Sequence, residues 1–187
     1  MKGRILALVI GVALLALAVP AAVFSVESTV SCTVSAYLVS LSVDDGSVDY
    51  GVVALYQNRN TALYDSTENM DGMDPPQTQT ITNTGTVAEE IRVKTSNAIG
   101  TVNWTLNWTT GEDIFQSEYH MDTSQYTGGE GVGWLPFLAA DTYALSWAGI
   151  DVPPGAVRYL DLRISMPGSV TDYGTHNITV TVEALAA

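Results

Sequence analysis

Hydrophobic and polar positions alternate with a period of two along much of the chain. Ile91, Val93 and Thr95 alternate with Glu90, Arg92 and Lys94. Trp104, Leu106 and Trp108 alternate with Asn103, Thr105, Asn107 and Thr109, and Leu160, Leu162, Ile164 and Met166 with Tyr159, Asp161, Arg163 and Ser165. A last run sets Ile178, Val180, Val182 and Ala184 against Asn177, Thr179, Thr181 and Glu183. Successive side chains of a strand point to opposite faces, so each run predicts a strand with its first set in the core and its second in water. The β-branched and aromatic content of the runs agrees. Turn chemistry separates them at Asp45-Gly46, Asp74-Pro75-Pro76, Thr84-Gly85, Ile99-Gly100, Pro153-Pro154-Gly155, Pro167-Gly168 and Tyr173-Gly174. No helical stripe is sustained beyond the N-terminal segment; Ile114–Met121 has room for a turn or two of helix at most. Short strands between such turns predict an all-β, antiparallel sandwich. Two long loops are expected, Tyr56–Gln77 and Asp122–Trp134, the second glycine-rich and flexible.

The start of the chain follows a different logic. Lys2 and Arg4 precede an apolar run from Ile5 to Val19, followed by Pro20 and small residues. This is the charged head, apolar middle and small-residue exit of a secretory signal, shorter than a membrane-spanning helix requires. Cleavage is expected after Ala21 or Ser25, which assigns residues 1–25 to the signal and membrane contact to that segment alone. Beyond it Val30, Cys32, Val34, Ala36 and Leu38 are apolar, and then the phase shifts by one to Val39, Leu41 and Val43. A one-residue shift exchanges the two faces, so it marks a bulge or a boundary between strands. A boundary separates an N-terminal strand, residues 26–37, from a sandwich domain over 38–187. That strand either pairs within its own domain or adds to a neighbour's sheet edge.

Composition narrows the partners. The chain carries 20 acidic and 7 basic residues, a net charge of −13. Loss of Lys2 and Arg4 with the signal leaves 5 basic residues and takes it to −15. Nucleic acid needs clustered Lys and Arg, so it is not an expected partner. Cys32 is the only cysteine, which excludes an internal disulfide and leaves a buried small side chain or an intermolecular bridge.

Candidate chemistry is sparse. Three sequons place Asn103, Asn107 and Asn177 as possible N-glycosylation sites on the polar phase of their strands. The acidic stretch Asp65–Asp74 offers Glu68, Asn69, Asp71 and Asp74 as oxygen donors for calcium, without EF-hand spacing; Asp44, Asp45 and Asp49 form a second cluster. Trp104 and Trp108 are in phase with Leu106 and predict core, whereas Trp134 is the candidate for an exposed, sugar-stacking indole. No enzyme is expected. His120 and His176 lack zinc-site spacing, no nucleophile elbow or phosphate loop occurs, and a carboxylate pair drawn from Glu112, Asp113 and Glu118 has no spacing to recommend it.

The order of the remaining segments resembles a known group. Ser40-Leu41-Ser42-Val43 is followed by Val48-Asp49-Tyr50-Gly51-Val52-Val53 and by Gln79-Thr80-Ile81-Thr82-Asn83-Thr84-Gly85-Thr86-Val87. Later come Pro153-Pro154-Gly155-Ala156, Leu160-Asp161-Leu162-Arg163-Ile164 and Val180-Thr181-Val182-Glu183-Ala184. From Leu38 onward this resembles the exported jelly-roll sandwiches of the camelysin/TasA type and is similar to archaeal bundling-pilus and cannula subunits. The resemblance implies a head-to-tail homopolymer, in which the N-terminal strand of one subunit completes the sheet of the next. Val30, Cys32, Val34 and Ala36 would then be the plugs that fill the neighbour's groove. The expected function is an extracellular structural subunit; the alternative is a monomeric cell-surface module binding glycans or calcium.

Overall fold

Strand length follows how far each alternation runs before a turn residue interrupts it. The computed structural model describes residues 36–127, 133–144 and 151–187. Among them are nine strands and no helix: β1 Leu41–Val43, β2 Asn58–Asn60, β3 Gln79–Asn83, β4 Glu89–Thr95, β5 Thr105–Leu106, β6 Ile114–Asp122, β7 Leu135–Pro136, β8 Val157–Ser165 and β9 Val180–Ala186. The signal segment, and with it Val30, Cys32 and Val34, lies outside the described residues.

The larger sheet has the order β1-β3-β8-β6-β5, with β2 beside β3 on the same flank of β8 and β7 beside β5 on the outer flank of β6. All pairings but β5–β6 are antiparallel. β4 and β9 form a second, two-stranded sheet in continuous register from Glu89↔Ala186 to Thr95↔Val180. The other edge of β4 is met at Ala144 and Val152. One apolar cluster joins the two sheets: Ile81, Leu106, Phe115, Tyr119, Met121, Leu160 and Leu162 from the first, Ile91 and Val93 from the second, with Trp104 and Phe137 from the connections. The arrangement is all-β and consistent with a sandwich.

Several expectations change, and the expected loop Tyr56–Gln77 contains β2. Ile114–Met121 is strand, not helix: Phe115, Ser117, Tyr119 and Met121 face the core while Glu118 and His120 are buried on the opposite side. Gln116, Glu118, His120 and Asp122 alternate with Phe115, Ser117, Tyr119 and Met121 as in any strand, but Glu118 and His120 are covered by protein instead of water. Asp161, expected in water, is fully buried, because the segment between β2 and β3 and the chain after β6 cover the outer face of β8. Trp108, expected in the core, is 53% exposed, since β5 ends at Leu106 and the chain leaves the sheet before the alternation reaches it.

A cleft beside the free edge of the last strand

The last strand makes half of a site. The bonds flanking its ladder, Ser96 N–H to the Thr179 carbonyl (2.9 Å) and Ala187 N–H to the Ala88 carbonyl (3.1 Å), set the phase of the β4–β9 pairing. Hydrogen-bonded pairs alternate in an antiparallel ladder, so Val180, Val182, Ala184 and Ala186 turn their amides and carbonyls away from β4. Among the described residues no backbone group meets them. Within the described residues this sheet edge is free, a template for an added strand.

The side chains of the same strand line an apolar cleft of about 1030 Å³ between the sheets. Val180 and Val182 form one wall, Leu160, Leu162 and Ile164 of β8 the opposite wall, and Phe115 and Trp104 the end. The extended segment Ser47–Leu55 runs along the cleft, with Val48 and Tyr50 turned toward the core and Val52 fully exposed. Burial, with a smaller push from Asp161, raises the pKa of the Tyr50 phenol well above its ordinary value, so it stays neutral. Interiors close-pack and leave few voids larger than a water. A cleft of this size, with apolar walls, belongs to the class of binding features.

The chain enters the domain at a pinned root. Leu38 exchanges backbone and hydroxyl hydrogen bonds with Thr86, donating to its Oγ1 (2.9 Å) and accepting from its N–H (2.8 Å). Ser40 N–H donates to the buried Glu89 carboxylate (2.6 Å), and its carbonyl accepts from Thr84 N–H (2.8 Å). A side chain at Gly85 would collide with the Leu38 carbonyl and with Glu89, so glycine is required there by close approach. Ala36 and Tyr37, upstream of this root, are exposed, and Ala36 makes no part of the domain's own core.

The other predicted site residues are dispersed. Asn103, Asn107 and Asn177 are all exposed; a reciprocal backbone bridge joins Asn177 to Ile99, which brings the Asn103 and Asn177 sequons to one end of the cleft. In the acidic loop, Asn69 is buried and spent on Asn60 and the Leu63 carbonyl. It therefore faces away from Glu68 and Asp74, which are exposed. Asp65 organises the loop instead: it accepts from the Thr67 hydroxyl and from the Thr67 and Glu68 amides, which hold its carboxyl below the usual range. Among the described residues no three His, Cys, Asp or Glu side chains gather as a metal site requires. Trp134 is half-buried, against Tyr126 and His120 with the Arg163 guanidinium over its ring, while Trp108 is the exposed indole among the described residues. Sequence reasoning missed the free edge of β9 and the run 47–55 beside it; the alternation of β9 was visible, but not which of its two edges would be paired. No protein-family model, no curated protein and no solved structure matches the chain.

Proposed function

We propose that this protein is an exported structural subunit with a jelly-roll-like sandwich, which polymerises head-to-tail by seating its N-terminal strand, residues 26–37, in the cleft of the next copy. The observation that carries this reading is the coincidence of the apolar cleft with the unpaired edge of β9. Backbone groups of an added strand find partners along Val180–Ala186, and its alternate side chains enter the cleft. Val30, Cys32, Val34 and Ala36 recur every second residue, a spacing of about 6.6 Å on a strand, and are small enough to sit between facing walls of Val, Leu and Ile. The pinned root at Leu38–Ser40 supports the reading further, because it fixes the point from which a donated strand would start. A contact of this type joins two different surfaces and so propagates instead of closing.

Deleting residues 26–36 is expected to abolish fibres while leaving a folded domain, and a synthetic peptide of residues 26–37 is expected to bind that truncated domain and raise its melting temperature. Fibres that form unchanged from the truncated chain, seen by negative-stain microscopy, would sink the proposal. The exposed indole of Trp108 favours a second reading, a glycan-binding module. Oligosaccharide titration of wild type and Trp108→Ala, followed by tryptophan fluorescence, separates the two.

A further inference from the structure

His176 sits at one end of the cleft in a contact set that a neutral imidazole cannot satisfy. Its Nδ1 lies 2.9 Å from the Gly174 carbonyl and its Nε2 lies 2.8 Å from the Val102 carbonyl. Both partners are acceptors. A neutral ring carries one N–H, so one of the two contacts would oppose a nitrogen lone pair to a carbonyl lone pair; only the imidazolium donates from both nitrogens. The surroundings suit a cation. The ring is stacked on Trp104 with centroids 3.7 Å apart, and the carboxylate of Asp172 lies 3.8 Å from Nε2. Asp172 in turn accepts from the Val102 amide (3.2 Å) and the Gly174 amide (2.8 Å), so the Val102 peptide is held by both residues, through its N–H and through its C=O. The fit is close: a Cβ at Gly100 would come within 2.6 Å of the imidazole ring, and the His176 side chain is only 4% exposed.

We propose that His176 is a proton-operated clasp: as the imidazolium it ties the turn 98–104 to the loop 172–177 and closes that end of the cleft, and loss of its proton releases Val102. Asp172 is the titratable group facing the ring from its own loop; the turn 98–104 contributes none. The clasp is therefore present on the acid side and lost as pH rises and the ring gives up its proton. This inference concerns one subunit and holds whether or not the strand-donation reading does. Its consequence for the cleft follows from the walls, since Trp104, Gly174 and His176 all line it.

The test uses the full chain. Long-range proton–nitrogen NMR is expected to show both ring nitrogens of His176 protonated at the acid end of a pH series. The reciprocal Ile99–Asn177 amide bonds, at 2.8 and 2.9 Å, report the tie between the two segments. Their hydrogen-exchange protection, corrected for intrinsic rate, is expected to be ~tenfold higher at the acid end than at the basic end, the size of one charge-assisted hydrogen bond. His120 is the only other histidine, so His176→Gln should abolish the pH dependence if the assignment holds. Equal protection across the range, a single protonated ring nitrogen at the acid end, or a pH dependence that survives in the Gln variant each overturns the clasp. The NMR measurement needs no variant, so a misfolded His176→Gln chain would not protect the proposal.

Discussion

At Asp161 the polar phase of β8 meets a second layer of protein instead of water. Its carboxylate accepts from the Thr61 hydroxyl (3.1 Å), the Thr78 hydroxyl (2.5 Å) and the Tyr126 amide (3.1 Å), joining three chain segments to the central strand. Burial nevertheless raises its affinity for a proton, outweighing those hydrogen bonds. The fold then holds a proton that the unfolded chain has released, so this residue's contribution to stability declines as pH rises from the ordinary carboxylate range through the raised folded value, and is level above it. Asp161→Asn, whose amide can be turned to donate to the two hydroxyls and accept from Tyr126, is expected to flatten that slope while changing stability at neutral pH by less than about 1 kcal/mol. Asp161→Ala leaves all three donors unpaired and is expected to cost about 3 kcal/mol. Urea unfolding at several pH values measures both. The two neighbouring tryptophans give a second contrast. Trp104 is buried in the core and its truncation to Ala should cost roughly 3–5 kcal/mol. Trp108→Ala, at an exposed indole, should stay within about 0.5 kcal/mol.

Among the elements, β4 and β9 behave unlike the rest. β4 is covered on both edges and its burial alternates strictly, with Glu89, Ile91, Val93 and Thr95 inward. β9 pairs with it over seven residues, yet not one of those seven is fully buried, because the cleft opens on their inner face. The Arg92–Glu183 pair across the outer face is about one-third exposed and contributes little beyond fixing register. The element before β1 depends on a different device, the close packing of Gly85 under Leu38. Gly85→Ala is expected to destabilise the domain by about 1–3 kcal/mol, the range for overpacking, and to raise hydrogen exchange selectively at Leu38 and Ser40. Unchanged exchange at those two amides would remove the case for a pinned root.

For the whole molecule, charge sets the terms of association. Copies of a chain at −13 repel one another over roughly the Debye length, about 8 Å at physiological ionic strength. If subunits join through an apolar cleft and a sheet edge, added salt should screen that repulsion and speed fibre growth, whereas a contact made of ion pairs would slow. Light scattering over a salt series distinguishes these outcomes. The acidic loops oppose acidification locally: the hydrogen bonds that lower Asp65, Asp122 and Asp172 stabilise the fold above the ordinary carboxylate range and are lost as pH falls through their depressed values.

The sequence by itself determined the class of the fold, the positions of most turns and the inward set of β4 and β8, because alternation and turn chemistry are local properties of the chain. The exposure of Asn103, Asn107 and Asn177 was legible for the same reason. Tertiary structure alone decided the rest. The alternation of Ile114–Asp122 could not show that its polar face is buried, because Glu118 and His120 are satisfied or covered by segments remote in sequence. Asp161 could not be placed inside without knowing that Thr61, Thr78 and Tyr126 converge on it from positions 100, 83 and 35 residues away. The cleft and the free edge of β9 are likewise set by which strands pair with which, and pairing partners are non-local: a strand's own residues state which face it buries, but not whether a neighbour lies along each of its edges.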